Sequence, residues 1–197
     1  MKQGTEQRGK EKNDMKAVVF LADGFEECEA LITVDILRRA GVETVMASVM
    51  ERRQVESSRN IKVIADEMAA DVDFDSADLI VLPGGRLGTE NMAESPVVAE
   101  KCRDFASSEG KYVAAICAAP SLLASLGLLE GKKATCHPDF ESHMAGAELT
   151  GKSVAVDGNL ITGQGLGATF DFAFELVSML AGKECADRIK SSICYRH

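Results

Sequence analysis

The stretch AAICAAP, residues 114–120, is an apolar run that reaches Cys117, continues through small residues and ends at a proline. This order is typical of a buried strand that turns directly into a helix with proline in its first turn. On such a turn the Cys117 side chain projects from the carboxyl edge of a sheet, and the unpaired N–H groups of the next helix point towards it. The segment therefore predicts a sheet edge that carries a cysteine.

Two interpretations of Cys117 follow from that position. The free N–H groups and the helix dipole favour negative charge, which predicts a nucleophilic thiol that ionises more readily than a free one. Free cysteine is also among the most often buried residue types, so the same pattern fits an unreactive cysteine inside the sheet. The segment on its own is compatible with both.

Strands and helices alternate on both sides of this segment. Short apolar runs predict strands over residues 16–22, 43–49, 78–82 and 112–116. Helical spacing of apolar residues predicts helices over residues 26–40, 96–106, 120–126, 168–180 and 184–191. Turn residues predict hairpins over residues 54–63 and 153–162. The alternation predicts an α/β fold with a mostly parallel sheet, helices on both faces, and ligand sites beyond the carboxyl ends of the strands.

Composition limits the classes of protein. The chain has 197 residues, 46% of them hydrophobic, which is enough for one core, and we expect a single domain over residues 15–197. Residues 1–14, MKQGTEQRGKEKND, are polar and without apolar periodicity, which predicts a disordered tail. A formal net charge of -9 argues against binding to nucleic acids or to anionic membranes through a broad positive field.

Cysteine usage and hydropathy point to a compartment. The six cysteines form no C-x-x-C pair and follow no disulfide framework, which indicates reduced thiols. No apolar run is long enough to span a bilayer, and no signal peptide is apparent, so we expect a cytoplasmic protein. Cys136 and His137 are adjacent and lack a second ligand pair, so we expect no metal site.

The helix after the first strand begins with three carboxylates, Glu26, Glu27 and Glu29. Glu26 and Glu27 fit ordinary favourable charges in the first turn of a helix. Glu29 lies on the same helix face as Glu26 and precedes an apolar pair, which predicts that it points inwards. A carboxyl group in an apolar place stays protonated and can donate a hydrogen bond to a thiolate, so Glu29 is a candidate partner of Cys117.

Two further loops reach the same edge of the predicted sheet. The triplet PGG, which supplies Gly84 and Gly85, fits a simple chain reversal. If the Gly85 amide faces Cys117, the N–H groups of Gly85 and Ala118 form a two-donor pocket for an oxyanion or an oxidised sulfur. His137, held extended by the following proline, fits either a base beside Cys117 or a capped loop histidine.

Five segments together resemble the ThiJ/PfpI superfamily, and within it the branch of the parkinsonism-associated protein deglycase and its bacterial relatives. They are LADGFEECE (21–29), VDILRRAG (34–41), VLPGG (81–85), AAICAAP (114–120) and TCHP (135–138). The resemblance covers roughly residues 16–190. It implies a flavodoxin-like three-layer sandwich and a homodimer.

The same resemblance implies roles for individual residues. It implies that Cys117 is the reactive cysteine, Glu29 a protonated acid and His137 a nearby histidine. Glu26 and Arg59 are expected to border the pocket as substrate-binding residues, with Arg59 in a position to reach across a dimer interface. The protease-like branch has a histidine directly after its cysteine, whereas this chain has alanine there, so a peptidase would lack its base.

These residues predict a cysteine-dependent, cofactor-independent enzyme for methylglyoxal or glyoxal, or for their early adducts on protein amines and thiols. The reaction would be of the glyoxalase III or deglycase type. The Cys117 thiolate would add to the aldehyde carbon, and Glu29 and His137 would transfer protons. The alternative is a redox-sensing or chaperone-like protein in stress protection, in which Cys117 is oxidised to a sulfinate without turnover.

Overall fold

A seven-stranded sheet runs through the computed structural model, which describes residues 15–196. The predicted tail over residues 1–14 lies outside the described residues. The strands are β1 (Lys16–Leu21), β2 (Glu43–Ser48), β3 (Gln54–Glu56), β4 (Lys62–Ile64), β5 (Glu67–Met68), β6 (Leu79–Leu82), β7 (Tyr112–Ile116), β8 (Lys133–Ala134), β9 (Glu148–Leu149), β10 (Val154–Asp157) and β11 (Leu160–Gly163). The helices are α1 (Glu27–Arg39), α2 (Arg86–Ala93), α3 (Pro96–Ser107), α4 (Pro120–Ser125), α5 (Thr169–Ala181) and α6 (Lys183–Ser192), with 3₁₀ helices at Pro138–His143 and Leu166–Ala168.

The main sheet is mostly parallel. Its strand order is β10-β11-β7-β6-β1-β2-β5, and every neighbouring pair is parallel except the antiparallel pair β10 and β11. The predicted hairpins are confirmed, since β3 pairs with β4 and β10 with β11 in antiparallel register. Strands β8 and β9 form a separate parallel pair.

Helices cover both faces of the sheet because the central strands are apolar on both faces. In β1, Val18 and Phe20 belong to one buried cluster, while Val19 and Leu21 belong to the other. Alternate side chains of a strand point to opposite faces, so each face needs its own cover. Helices α1, α5 and α6 pack on one face and α2, α3 and α4 on the other. The predicted three-layer α/β sandwich is confirmed.

The sequence did not predict every element. Helix α2 was missed because its sequence, RLGTENMA, buries only three residues, one of them a glycine, and has little apolar periodicity. Strands β5, β8 and β9 have two residues each, too few for a period of two to show. Among the described residues, no helix combines the length and apolar character that crossing a bilayer requires.

Three neighbouring strands bring the predicted site segments together. Strands β7, β6 and β1 are adjacent and parallel, so their carboxyl ends lie at one edge of the sheet. The chain leaves β7 directly into Cys117, leaves β6 into the PGG triplet and leaves β1 into the loop before α1. Open α/β sheets commonly bind ligands at such an edge.

Candidate active site

Cys117 lies on a strained turn directly after β7. Its φ angle is 65°, a left-handed conformation that residues other than glycine rarely adopt. Two backbone hydrogen bonds hold it there: its N–H donates to the Gly163 carbonyl at 3.0 Å, and its own carbonyl accepts the His137 N–H at 2.9 Å. Strain of this kind persists only where the surroundings fix the conformation, and it is concentrated at functional sites.

Glu29 lies fully buried beneath this turn, in the first turn of α1. Its Oε2 accepts the Gly84 N–H at 2.8 Å, and its own N–H donates to Glu26 Oε2 at 2.7 Å. Its Oε1 is buried without a hydrogen-bond partner among residues 15–196. Burial raises the pKa of the Glu29 carboxyl from its ordinary 4.5 to about 7, against the opposing effects of the Gly84 N–H and of hydrogen bonding to Cys117.

Gly84 separates the carboxyl group from the cysteine. A methyl group at Gly84 would lie 2.6 Å from Cys117 Cβ and 2.6 Å from Glu29 Oε2. Real Cβ atoms do not approach other atoms so closely, so only glycine fits between them. Gly84 therefore allows the acid and the thiol to share one small space, and the substrate-binding role predicted for it stays a prediction.

The N–H groups of Gly85 and Ala118 face the Cys117 sulfur and lower the pKa of its thiol. Gly85 is the residue that precedes α2, and Ala118 is the residue after the cysteine. The structure therefore places beside the sulfur the two N–H donors that the sequence analysis proposed for this pocket. They surround a position where negative charge can be stabilised, either on sulfur or on an oxygen bonded to the attacked carbon.

The ionisation of Cys117 differs from the sequence-based expectation. Burial, the Glu29 charge and hydrogen bonding to Glu29 raise the pKa of the Cys117 thiol to about 12, against the opposing effect of the two N–H groups. The sequence-based expectation of an easily ionised thiol took account neither of the burial of Cys117 nor of an ionised Glu29 beside it. When Glu29 is protonated, its charge and its hydrogen bonding no longer raise the pKa of Cys117. The N–H groups of Gly85 and Ala118 still lower that pKa. The pair therefore titrates as one coupled unit.

His137 lines the same space from another loop and also caps a helix. Its Nδ1 accepts the Asp139 N–H at 3.3 Å at the start of the 3₁₀ helix, so a neutral ring carries its proton on Nε2. A methyl group built on Gly165 would lie 3.5 Å from His137 Cδ2 and 3.9 Å from Cys117 Sγ. Of the two sequence interpretations, the cap is present, and His137 also lines the same cleft as Cys117.

These groups open into a cleft of about 830 Å³. Of the predicted site residues, Glu26, Arg59, Gly85, Cys117, Ala118 and His137 line it. Glu29 and Gly84 are buried and are not among its lining residues. Glu26 combines its predicted first-turn role, as the residue that caps α1, with a place on the wall.

Several residues of the cleft wall escaped sequence reasoning. Asp23 and Arg52 form an ion pair at 2.6 Å on one side. Arg86 and Phe140 stack on another, with the guanidinium carbon 4.8 Å from the ring centroid. Only their positions in the sequence could have indicated the last two residues. Arg86 directly follows the PGG triplet, and Phe140 follows the His-Pro pair by two residues. No group of three or more potential metal ligands occurs in the described part of the chain.

A sequence model described as the DJ-1/PfpI family matches residues 15–179. This chain belongs to the DJ-1/PfpI family. It is 38% identical over 179 residues to the protein dj-1beta of Drosophila melanogaster, which covers 90% of this chain and 95% of that protein. The crystal structure of Drosophila DJ-1beta has a TM-score of 0.89 and 36% identity, and covers 93% of this chain and all (100%) of that chain.

Two other DJ-1/PfpI relatives bear names that describe an activity or a state. The glutathione-independent glyoxalase DJR-1.2 of Caenorhabditis elegans is 30% identical over 171 residues, covering 86% of this chain and 90% of that protein. A structure of oxidized Toxoplasma gondii DJ-1 has a TM-score of 0.88 and 34% identity, and covers 93% of this chain and 100% of that chain. The resemblance read from the sequence motifs is therefore confirmed at the level of the family and the fold.

Proposed function

We propose that this DJ-1/PfpI protein converts 2-oxoaldehydes such as methylglyoxal and glyoxal, or their early adducts on amines and thiols, without a cofactor. The observation that carries the proposal is the Cys117 sulfur between a buried acid, Glu29, and two N–H donors, Gly85 and Ala118, in a cleft. The relative named as a glutathione-independent glyoxalase supports the same reaction class.

The first step is addition of the sulfur to the aldehyde carbon. With the proton on Glu29, the negative charge lies on the Cys117 sulfur, which is the nucleophilic form. As the C–S bond forms, the carbonyl π electrons move to oxygen. The N–H groups of Gly85 and Ala118 then stabilise that oxygen, and protonation of the oxygen gives a hemithioacetal.

The second step moves a proton from the former aldehyde carbon to the neighbouring ketone carbon through an enediol. The first carbon is oxidised and the second reduced by the same two electrons, so no external redox partner is needed. Glu29, whose pKa lies at about 7, and His137, whose cap uses Nδ1 and not Nε2, are the groups we assign to these transfers. Water then cleaves the thioester and releases a 2-hydroxy acid and the free thiol.

Adducts enter the same sequence at the first step. An early adduct releases its amine or thiol as the Cys117 sulfur takes its place on the carbon, and the following steps are unchanged. Proteins of this family are typically homodimers. We propose the same assembly here, with Arg59 at the cleft entrance close to the partner subunit.

The test is turnover of methylglyoxal by the purified protein, measured as 2-hydroxy acid formed. We expect Cys117→Ser to lose activity by at least about a hundredfold and Glu29→Gln by about a hundredfold, the usual range for losing a nucleophile or a proton-transfer group. Cys194→Ser, at an exposed cysteine far along the chain, is the matched control and keeps full activity. Unchanged activity in Cys117→Ser would end the proposal.

A redox role is the second candidate, and the oxidized Toxoplasma gondii relative favours it. Peroxide is the oxidant: the Cys117 thiolate attacks one peroxide oxygen and displaces hydroxide, and a second equivalent gives the sulfinate. The N–H groups of Gly85 and Ala118 would hold the added oxygens. Mass spectrometry after mild peroxide treatment tests it, and oxidation spread evenly over the six cysteines would contradict it.

A further inference from the structure

Arg86 is a cation on the cleft wall that no anionic side chain of residues 15–196 pairs with. It is exposed, lines the cleft with Cys117, and forms no ion pair or hydrogen bond with any of residues 15–196. Its contact is with the face of the Phe140 ring, 4.8 Å from the guanidinium carbon to the centroid. A long cationic side chain that stays without an anion is available to bind one.

The Phe140 ring restricts where the Arg86 guanidinium lies. Contact with the face of an aromatic ring limits the positions of the guanidinium and uses none of its N–H donors. A guanidinium fixed in this way can present two parallel N–H groups to a carboxylate. Less side-chain freedom is lost on binding than for a lysine, because the fork is already oriented.

The position of Arg86 relates this anion site to the reacting sulfur. Arg86 directly follows Gly85, whose N–H faces the Cys117 sulfur, and it begins α2. The two residues border one cleft of about 830 Å³, far more space than a small neutral aldehyde fills. A substrate whose carbonyl carbon lies at the sulfur therefore has room in the cleft to extend to Arg86.

Among the described arginines of the cleft, Arg52 and Arg59 each use an N–H group within the protein, whereas Arg86 uses none. Asp23 is paired with Arg52, and the Glu26 carboxylate is occupied by an N–H of α1. Asp139 lies beside the His137 ring, with 3.9 Å between Oδ2 and Nδ1. Glu56 belongs to the β3–β4 hairpin side of the wall. Arg59 is also exposed and forms no ion pair with any of residues 15–196, but one of its N–H groups donates to the Ser58 carbonyl.

We propose that Arg86, stacked on Phe140, binds a carboxylate at the far end of the substrate, so that the preferred substrates are 2-oxoaldehydes that carry a carboxylate. This inference rests on the proposed function and narrows its substrate class. For an oxoaldehyde with two methylene groups between ketone and carboxylate, addition of one water and the internal proton transfer give a 2-hydroxy dicarboxylate. Arg86 is a specificity-determining residue in this scheme and takes no part in the chemical steps.

The experiment compares two substrates of equal size, 4,5-dioxopentanoate and its carboxamide. We expect kcat/KM of the wild type to be about tenfold higher for the carboxylate, at the lower end for a hydrogen-bonded charge because Arg86 is exposed. Arg86→Gln brings the ratio close to one, and Phe140→Leu reduces it partially. Arg103→Gln, the same change at an exposed arginine of α3 outside the cleft lining, leaves the ratio at the wild-type value.

Methylglyoxal, as a third substrate, separates the two proposals. If the wild type turns over methylglyoxal through Cys117 but the carboxylate-to-carboxamide ratio is close to one, or is retained in Arg86→Gln, the Arg86 inference is overturned and the proposed function stands. If methylglyoxal and both dioxo compounds are inert, the proposed function fails and the substrate inference fails with it. A tenfold ratio that disappears only with the Arg86 and Phe140 changes supports the inference.

Discussion

Cys102 and Cys117 have similarly raised pKa values for different reasons, and the difference separates a core position from a reactive one. Cys102 lies fully buried on α3, where burial raises its pKa to about 12 and only the Arg103 charge opposes it. Cys117 also reaches about 12, but part of that rise comes from Glu29, and two N–H donors oppose it. When Glu29 carries a proton, the part of the rise in the pKa of Cys117 that comes from Glu29 is removed. Cys102 has no such neighbouring carboxyl group among the described residues.

The largest expected effect is a difference in alkylation rate between these two cysteines. We expect iodoacetamide to modify Cys117 at least about a hundredfold faster than Cys102 in the native protein, because reactivity follows thiolate character and access. Peptide mass spectrometry over a time course measures both rates in one sample. Equal rates would mean that Cys117 is a structural cysteine like Cys102.

Titration of Glu29→Gln sharpens the comparison. This change removes the carboxylate charge that raises the pKa of Cys117, whereas the Gly85 and Ala118 N–H groups stay. We expect the thiolate of the variant to form in a single step with a midpoint well below about 12. Ultraviolet thiolate absorbance against pH gives the midpoint, with a Cys117→Ser, Glu29→Gln double variant as the blank. A midpoint that stays at about 12 would assign the whole rise to burial.

Stability should depend on pH through the same carboxyl group. The folded-state pKa of Glu29 is raised from 4.5 to about 7, so its stabilising contribution is complete below the lower value and is lost as the pH rises through the higher one. We expect the free energy of unfolding to decrease by up to about 3 kcal/mol more in the wild type than in Glu29→Gln between about pH 5 and about pH 8. Urea unfolding at several pH values measures this, and parallel pH profiles would contradict it.

The smallest expected effect concerns the spacing between acid and thiol. Gly84→Ala places a methyl group against Cys117 and Glu29, so we expect a loss of about 1–3 kcal/mol in unfolding free energy and slower alkylation of Cys117. Gly167→Ala is the matched control, because a methyl group there meets no atom within 4 Å and the change should stay within about 0.5 kcal/mol. Equal losses in the two variants would show that the contact at Gly84 relaxes freely.

The sequence predicted most of the fold because the central strands are short apolar runs with glycine or proline after them. Helix α2 escaped because it is short and largely polar. Cys117, Glu29 and Gly85 could be placed at one edge because parallel strands deliver their carboxyl ends together. Their catalytic roles stay predictions, as does a cytoplasmic location.

The rest of the site depends on contacts between segments distant in sequence. Arg86 and Phe140 belong to different loops, and neither is part of an apolar or helical period that would have paired them. The rise in the pKa of Cys117 has the same origin, because burial and an adjacent carboxylate exist only once the layers have packed. A sequence motif indicates which residue is the nucleophile, whereas the ionisation of that residue depends on the packed structure around it.

The backbone hydrogen bond from His137 to the Cys117 carbonyl has a mechanical consequence. It ties the loop that carries the imidazole to the turn that carries the sulfur, so the main chains of the two residues move together. Side-chain rotation is then the most direct way for a reactant in the cleft to change the imidazole-to-sulfur distance. Alignment of the two groups is thus a matter of rotamer choice, a change that takes picoseconds to nanoseconds in exposed side chains rather than the slower times of loop motion.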